Sequence, residues 1–280
     1  MIDFPLDRSR IRICVMRVGG TNRDEDVVRC FEDLGVNVET LHLNDVLRRR
    51  NLSTYNGLVL PGGFAYGDYV RAGAIWAKRI RAFLKQDLRL FAEAEKPILG
   101  ICNGFQVLVE AGLLPGSRSD PARDTSEVEP DAALAVNKSG RFECRWVTLK
   151  KNPSSKCIFT SGAPDTALFP VAHGEGRFIV REGGTILRQL IDNNQVALQY
   201  SSQGGSIAGG RYPDNPNGST ADIAGICNPS GTIFGLMPHP EDAYWNYQLP
   251  NWSSTKESAS KYGDGRSIFL SMVEHIEKST

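Results

Sequence analysis

Lys96-Pro97-Ile98-Leu99-Gly100-Ile101-Cys102-Asn103-Gly104-Phe105-Gln106 is the stretch whose reading decides the fold. Its first half is a short apolar run, the signature of a buried strand. After it, Phe105, Val107, Leu108 and Ala111 recur at helical spacing until Gly112 ends the pattern. A cysteine between two glycines at a strand-to-helix junction is the thiol form of the nucleophile elbow G-x-S-x-G. Glycines are wanted there because so tight a turn leaves no room for side chains on either side of the nucleophile. The helix that follows aims free N–H groups and its positive end at the sulfur, which favours thiolate. A free cysteine is ordinarily buried and inert. That reading is taken for Cys14, Cys30, Cys144, Cys157 and Cys227, whereas Cys102 is read as a nucleophile.

Upstream, Ile11 to Val18 reads as a first strand, followed by the turn Gly19-Gly20-Thr21-Asn22. Thr21 or Asn22 is expected to cap the next helix, whose first turn holds Asp24, Glu25 and Asp26. Val36 to Leu41 and Gly57 to Leu60 are the second and third strands, and the third ends in Pro61-Gly62-Gly63-Phe64. Ala72 to Glu95 is strongly helical, with a break near Gln86. Strand, helix, strand, loop, helix, strand, elbow, helix is the rhythm of an α/β, doubly wound, mainly parallel sheet of flavodoxin-like type.

Downstream the pattern changes. The segment 117–139 is polar and without period, and is read as a surface loop. Phe142 to Leu149, Phe178 to Arg181 and Ala197 to Ser201 read as strands, an added antiparallel region, and Thr185 to Ile191 as a short helix. The segment 202–222 is crowded with Gly, Asn, Pro and Ser and is read as a functional loop. Ile223 to Cys227 and Ile233 to Leu236 form a hairpin leading into Met237-Pro238-His239-Pro240-Glu241, and a polar linker, 248–265, precedes a final helix from Ser267 to Glu277. The whole, 1–280, is read as one domain without internal repeats.

Lys and Arg together balance Asp and Glu, 32 against 32, so nothing basic advertises nucleic acid or an anionic membrane. The one basic run, Arg48-Arg49-Arg50, suits a solvated helix end. No apolar stretch reaches transmembrane length, and the six cysteines lack C-x-x-C spacing, which argues against a zinc site or a disulfide framework. The expectation is a cytoplasmic enzyme with no metal site.

A thiolate nucleophile needs a base, and the base an orienting group. Of four histidines, His42 and His275 read as surface or packing residues. His239 stands between two prolines, which would hold it extended and turn it and Glu241 to one face. Glu241 then accepts from one ring nitrogen while the other faces the thiol. His173-Gly174-Glu175-Gly176-Arg177 is a competing His-x-Glu, but its glycines suit a mobile contact loop better than a fixed triad. Backbone N–H groups at Asn103 and at Gly63 or Phe64 would form the oxyanion hole. Gln106, one turn beyond Cys102, would hold the polar groups of a substrate, or else face solvent.

Gly-x-Cys-x-Gly with a later His-Pro-Glu resembles the class I, or triad, glutamine amidotransferases. The segments 61–74, 102–106, 173–177, 215–219 and 237–241, in that order, are similar more narrowly to one branch of that family. This branch comprises the glutaminase subunits that serve phosphoribosylformylglycinamidine synthases in purine biosynthesis. The resemblance implies Cys102 as nucleophile, His239 as base and Glu241 as its orienter. It also implies L-glutamine as substrate and ammonia passed to a large synthetase subunit, with a small accessory subunit in the complex. No cofactor is implied for this chain, and ATP and magnesium belong to the synthetase partner. His173, Glu175, Arg177, Asn217 and Ser219 are expected to be accessory or partner-contact residues. Three positions depart from the family's pattern: Arg23 where cysteine is frequent, Ala65 where serine is usual, and Asp242 where arginine is usual.

Two rivals remain at this level. A cysteine-dependent α/β-hydrolase usually carries its acid before its histidine, the reverse of Glu241 after His239. A non-catalytic member of the same fold would keep only a reactive cysteine.

Overall fold

The structure, a computed structural model, describes residues 7–49, 51–116, 131–181, 184–250, 252–253 and 260–279. It is organised on a nine-stranded sheet in the order β2-β1-β3-β4-β11-β10-β9-β6-β7. The parallel half consists of β1 (Arg12–Arg17), β2 (Asn37–His42), β3 (Gly57–Leu60), β4 (Ile98–Ile101) and β11 (Ile233–Leu236). β3 and β4 are buried at every position, as strands covered on both faces must be, which is why they read as unbroken apolar runs. The order 2-1-3-4 is that of the flavodoxin-like doubly wound sheets.

Helices α1 (Asp24–Asp33), α2 (Leu43–Arg49), α3 (Ala74–Phe83), α4 (Lys85–Glu93) and α5 (Asn103–Glu110) connect the parallel strands. The acidic first turn of α1 is present, but neither Thr21 nor Asn22 caps it. Arg23 holds the cap position, and the Thr21 hydroxyl instead accepts from Val18 N at 3.1 Å, closing the turn before it. The break between α3 and α4 falls at the fully buried Leu84 rather than near Gln86. Helix α2 was anticipated only through its basic end, with no bounds given. Its last turn holds Arg48 and Arg49, paired with Asp45 and Glu39, while Arg50 lies outside the described residues.

The other half is antiparallel: β6 (Glu143–Lys151), β7 (Thr166–His173), β9 (Val196–Ser201) and β10 (Ile223–Cys227). A small second sheet pairs β5 (Ala132–Ala135) with β8 (Arg177–Val180). Helix α6 (Thr185–Asp192) precedes β9, and α7 (Arg266–Ser279) closes the chain.

Three sequence expectations change here. β5 is a paired strand inside the segment 117–139 expected to be a loop, of which 117–130 lies outside the described residues. β7 is a full strand that the sequence reading passed over. It runs along the sheet edge, where Pro170 costs no ladder bond, and its alternate residues Ala167, Phe169, Val171 and His173 turn inward. Of the linker expected over 248–265, residues 251 and 254–259 lie outside the described residues. Its far end packs back through Tyr262, which bridges Trp245 and stacks on it at 5.5 Å. Cys144, expected to be buried, is exposed, while the other five cysteines are buried and all six are unpaired.

Candidate active site

The C-terminal ends of β1, β3, β4 and β11 deliver their loops to one place, where ligands bind on open α/β sheets. β4 lies between β3 and β11, with Leu60 opposite Gly100 and Leu236 opposite Ile101. Cys102 N continues the ladder, donating to Leu236 O at 2.8 Å. The chain then turns sharply, with Cys102 at φ 49°, ψ −104°, a conformation that non-glycine residues adopt only under constraint. Both neighbouring glycines are needed for close approach. A Cβ on Gly104 would lie 1.8 Å from Leu60 O, and one on Gly100 would lie 2.7 Å from Gly104 O. The elbow is therefore held by three surrounding backbones.

His239 and Glu241 arrive from the loop after β11, pinned by His239 N donating to Pro170 O of β7 at 2.8 Å. They do meet, but not through an extended segment. Pro240 is helical, at φ −68°, ψ −26°, so a tight turn brings Glu241 back beneath the ring. Nδ1 of His239 donates to Glu241 Oε1 at 2.7 Å, with both side chains almost wholly buried. That bond places the proton on Nδ1 and leaves Nε2 as the basic nitrogen. Nε2 makes no hydrogen bond among the described residues. Burial opposes charge on this imidazole, yet Glu241 and Cys102 raise its proton affinity well above the ordinary histidine range. Both side chains crowd Gly62: a Cβ there would lie 2.8 Å from His239 Cε1 and 3.5 Å from Cys102 Cβ.

Of the N–H groups expected to face an oxyanion, one is already occupied. Phe64 N is committed to Gly20 O at 2.9 Å, whereas the Gly63 and Asn103 N–H groups have no such acceptor among the described residues. Gly63 adopts φ 144°, and any side chain would strike the Gly20–Asn22 backbone at 2.7–2.8 Å. The Asn103 side chain ties the turn after β3 to α5. Its Oδ1 accepts from Ala65 N at 3.2 Å and its Nδ2 donates to Gln106 Oε1 at 2.9 Å. Gln106 is buried rather than solvent-facing, and its Nε2 donates to Glu175 O at 2.6 Å.

A cavity of about 150 Å³ opens beside Cys102, lined also by Gly63, Asp68, Gln106, His173 and Glu175, with Phe64 and Phe142 stacked across its edge at 6.5 Å. Asp68 carries no role in the sequence reading. Burial and the Glu175 charge raise its proton affinity. The Glu175 carboxylate accepts from Ala72 N at 3.1 Å.

His173 is not on a mobile loop. It ends β7, is buried, and its ring lies against Gly176, where a Cβ would come within 2.6 Å of three ring atoms. The Asn137 amide N donates to Arg141 O and His173 O, each at 2.8 Å, so Asn137 Oδ1 is an acceptor. Oδ1 meets His173 Nδ1 at 3.2 Å, which makes that nitrogen the donor. Burial and the nearby His239 hold this ring neutral, its proton affinity pushed down to about 3. A group so disposed is a poor proton carrier at neutral pH. Asn217 and Ser219, expected among partner contacts, are buried instead. Asn217 Nδ2 donates to Gly176 O at 2.8 Å and to Tyr200 Oη at 3.0 Å, and Phe178 N donates to Ser219 Oγ at 3.0 Å. The segment 202–222 thus supports the 173–177 turn from within, around Asp222, which accepts from Gly209 N, Gly210 N and Asn215 Nδ2. Arg177 is half-buried in β8 opposite Ala135.

Two of the departures from the family's pattern face each other. Arg23 makes a fork to Asp242, Nη1 to Oδ1 and Nη2 to Oδ2, both at 3.3 Å, while Ala65 is buried against Asn103. Ligating atoms of His239, Glu241 and Asp242 lie within 4.8 Å of one another, a metal-like grouping. The Glu241–His239 bond and the Arg23 guanidinium already answer those donors, and a metal ion there would be repelled by the guanidinium.

Residues 10–276 match a family described as the CobB/CobQ-like glutamine amidotransferase domain. The phosphoribosylformylglycinamidine synthase subunit PurQ of Archaeoglobus fulgidus is 46% identical over 283 residues, covering 98% of this chain and 100% of the relative. That of Treponema denticola is 44% identical, covering 82% of this chain and 87% of its own. A chain in the structure of PurLQS from Thermotoga maritima superposes with a TM-score of 0.67 at 32% identity, covering 95% of this chain and 99% of that one.

Proposed function

The chain belongs to the CobB/CobQ-like glutamine amidotransferase family, and on that premise we propose that Cys102, His239 and Glu241 are its catalytic triad. The protein is the glutaminase component of phosphoribosylformylglycinamidine synthase in purine biosynthesis and works with a separate synthetase subunit. The observation that supports the triad most directly is the convergence of Cys102 and His239 on Gly62, with Glu241 buried behind the ring at 2.7 Å.

Glutamine enters the cavity with its carboxamide toward Cys102. The carboxylates of Asp68 and Glu175 line the same cavity and offer counter-charge to its α-ammonium. Cys102 Sγ attacks the amide carbon, and the developing oxyanion is met by the N–H groups of Gly63 and Asn103. The C–N bond breaks as the His239 imidazolium gives its proton to the departing nitrogen. Ammonia leaves, and a glutamyl thioester remains on Cys102. Water then attacks that carbonyl while His239 Nε2 takes its proton. The C–S bond breaks, and glutamate and the starting thiol are released. Glu241 holds the ring in the required tautomer and stabilises the imidazolium.

Ammonia passes to the synthetase subunit, where formylglycinamide ribonucleotide becomes formylglycinamidine ribonucleotide. ATP and magnesium act on that partner, a small accessory subunit completes the assembly, and this chain uses no cofactor of its own. We place it in the cytoplasm, where its unpaired thiols stay reduced. No described helix is long and apolar enough to cross a membrane. An ester-cleaving hydrolase is disfavoured by the order of His239 and Glu241, and a non-catalytic role by their buried bond.

In the assembled complex, Cys102→Ala should abolish synthesis with glutamine and leave synthesis with ammonia nearly intact. Loss of both would show that Cys102 is structural.

A further inference from the structure

Glu241 is not the only carboxylate behind His239. Asp242 follows it in sequence, and an oxygen of each lies within 4.8 Å of the other and of a ring nitrogen. Glu241 uses Oε1 for the His239 bond, while Oε2 is buried with no hydrogen-bond partner among the described residues. Were Asp242 to take up a proton and turn from Arg23, Glu241 Oε2 would be an unoccupied acceptor in the same group. A carboxyl group donating there disperses the negative charge on which the imidazolium depends.

Arg23 opposes that state. It comes from the opposite side of the site, the loop after β1. Its backbone N donates to Gly62 O at 3.3 Å, and its Cγ lies 3.5 Å from the Cβ position of Gly62. Its guanidinium occupies both Asp242 oxygens at 3.3 Å and also reaches Asp26 Oδ2 at 3.3 Å. A planar fork on both oxygens is the arrangement in which arginine excludes a proton from a carboxylate. We propose that Arg23 is a positioning residue for glutamine hydrolysis, clamping Asp242 in its ionised form so that the Glu241 charge stays wholly on the His239 ring.

This rests on the triad reading and extends it to residues that touch neither substrate nor thiol. The groups facing Asp242 are Arg23 from the β1–α1 loop, Asp26 and Cys30 from α1, and Glu241 and His239 from its own loop. Burial first, and then the Glu241 charge, push the Asp242 carboxyl up to about 6, against the pull of His239 and Arg23. The site thus stands near the edge of protonation at working pH, and the clamp decides on which side. Removing the guanidinium raises that edge by about one pH unit, a modest shift because Arg23 is 38% exposed and screened.

The test is glutamate release by the assembled complex between pH 5.5 and 9, for the wild type, Arg23→Gln, Arg23→Gln with Asp242→Ala, and Cys102→Ala. Arg23→Gln should move the acid limb of kcat up by about one unit. The loss should be about fivefold near pH 6 and within threefold of wild type at pH 8.5, with KM for glutamine little changed. The double variant removes the proton-binding carboxyl and should bring the limb back. Near-normal activity at pH 8.5 shows that the variant is folded and assembled. An Arg23→Gln profile that superimposes on wild type, one depressed equally at every pH, or a double variant no better than the single one would each overturn the clamp. Cys102→Ala separates the two layers. Glutamate release surviving in it defeats the triad, whereas its silence beside an unshifted Arg23→Gln defeats only the clamp.

Discussion

Replacing Glu241 by glutamine changes a single charge in a side chain of nearly constant size, at the position where that charge matters most. The carboxylate is fully buried and accepts from His239 Nδ1 at 2.7 Å. The carboxylate favours the charged imidazolium over the neutral ring, so the lost term falls on the states in which His239 carries its proton. Two unit charges about 4 Å apart at an effective dielectric of about 20 attract by about 4 kcal/mol. A hydrogen bond to a charged partner accounts for about 1.5–3 kcal/mol by a separate measure. Taking about 3–4 kcal/mol, kcat should fall by roughly 10²–10³. The glutamine amide adds a second fault. If its N–H₂ turns toward Nδ1, the ring proton is driven to Nε2, the wrong tautomer for a base, and the loss approaches roughly 10⁴. Glu241 does not line the substrate cavity, so KM should change by less than about threefold. Because Glu241 raises the proton affinity of His239, alkylation of Cys102 by iodoacetamide should need a higher pH in the variant to reach half its maximal rate. Steady-state glutamate release by the complex and the pH dependence of alkylation measure the two effects. A kcat within threefold of wild type, or a loss confined to KM, would refute the role given to Glu241.

Gly104→Ala should cost at least about 2 kcal/mol in a urea melt, since its Cβ would lie 1.8 Å from Leu60 O and α5 cannot move away without dragging the elbow. An unchanged midpoint would show that the junction is looser than its contacts indicate. His173 is held neutral, with its proton affinity near 3, while the unfolded imidazole takes a proton near 6.5. The stability this site contributes is full above pH 6.5 and is lost progressively as pH falls from 6.5 toward 3. Urea midpoints between pH 7.5 and 5 should therefore fall more steeply for wild type than for His173→Gln, and parallel slopes would remove His173 from the acid response. The same variant should still form the thioester if His239, as proposed, is the base.

What the sequence disclosed and what it hid follow from the range of the interactions. The elbow at Cys102 was legible because its requirements are local: an apolar run, two glycines, and a helical pattern all lie within a dozen residues. Its glycines proved necessary for a reason that a linear reading only outlines, since the atoms they avoid belong to β3 and to the turn of α5. His239 and Glu241 were also legible as a pair, though the backbone between them was misjudged. Proline fixes φ and leaves ψ open, and at Pro240 ψ is −26°, so the pair is closed by a turn and not by a pleat. His173 shows the limit of composition. Its flanking glycines suggested mobility, but in β7 every second residue faces inward, and the register set by β6 puts His173 opposite Glu143 in the interior. Pro170 concealed that alternation, because proline in a strand ordinarily argues against one unless the strand lies at an edge. Arg23 and Asp242 lie 219 residues apart. The resemblance marks each as a departure, but nothing local in the sequence pairs them. Only the sheet order, which brings the loop after β1 and the loop after β11 to the same end of β3 and β4, makes them partners. The fold thereby assigns a function to two charges through a contact that no local pattern records. The pair sits by His239 and Glu241 and does not line the cavity, so its influence should appear in the pH dependence of turnover and not in affinity for glutamine.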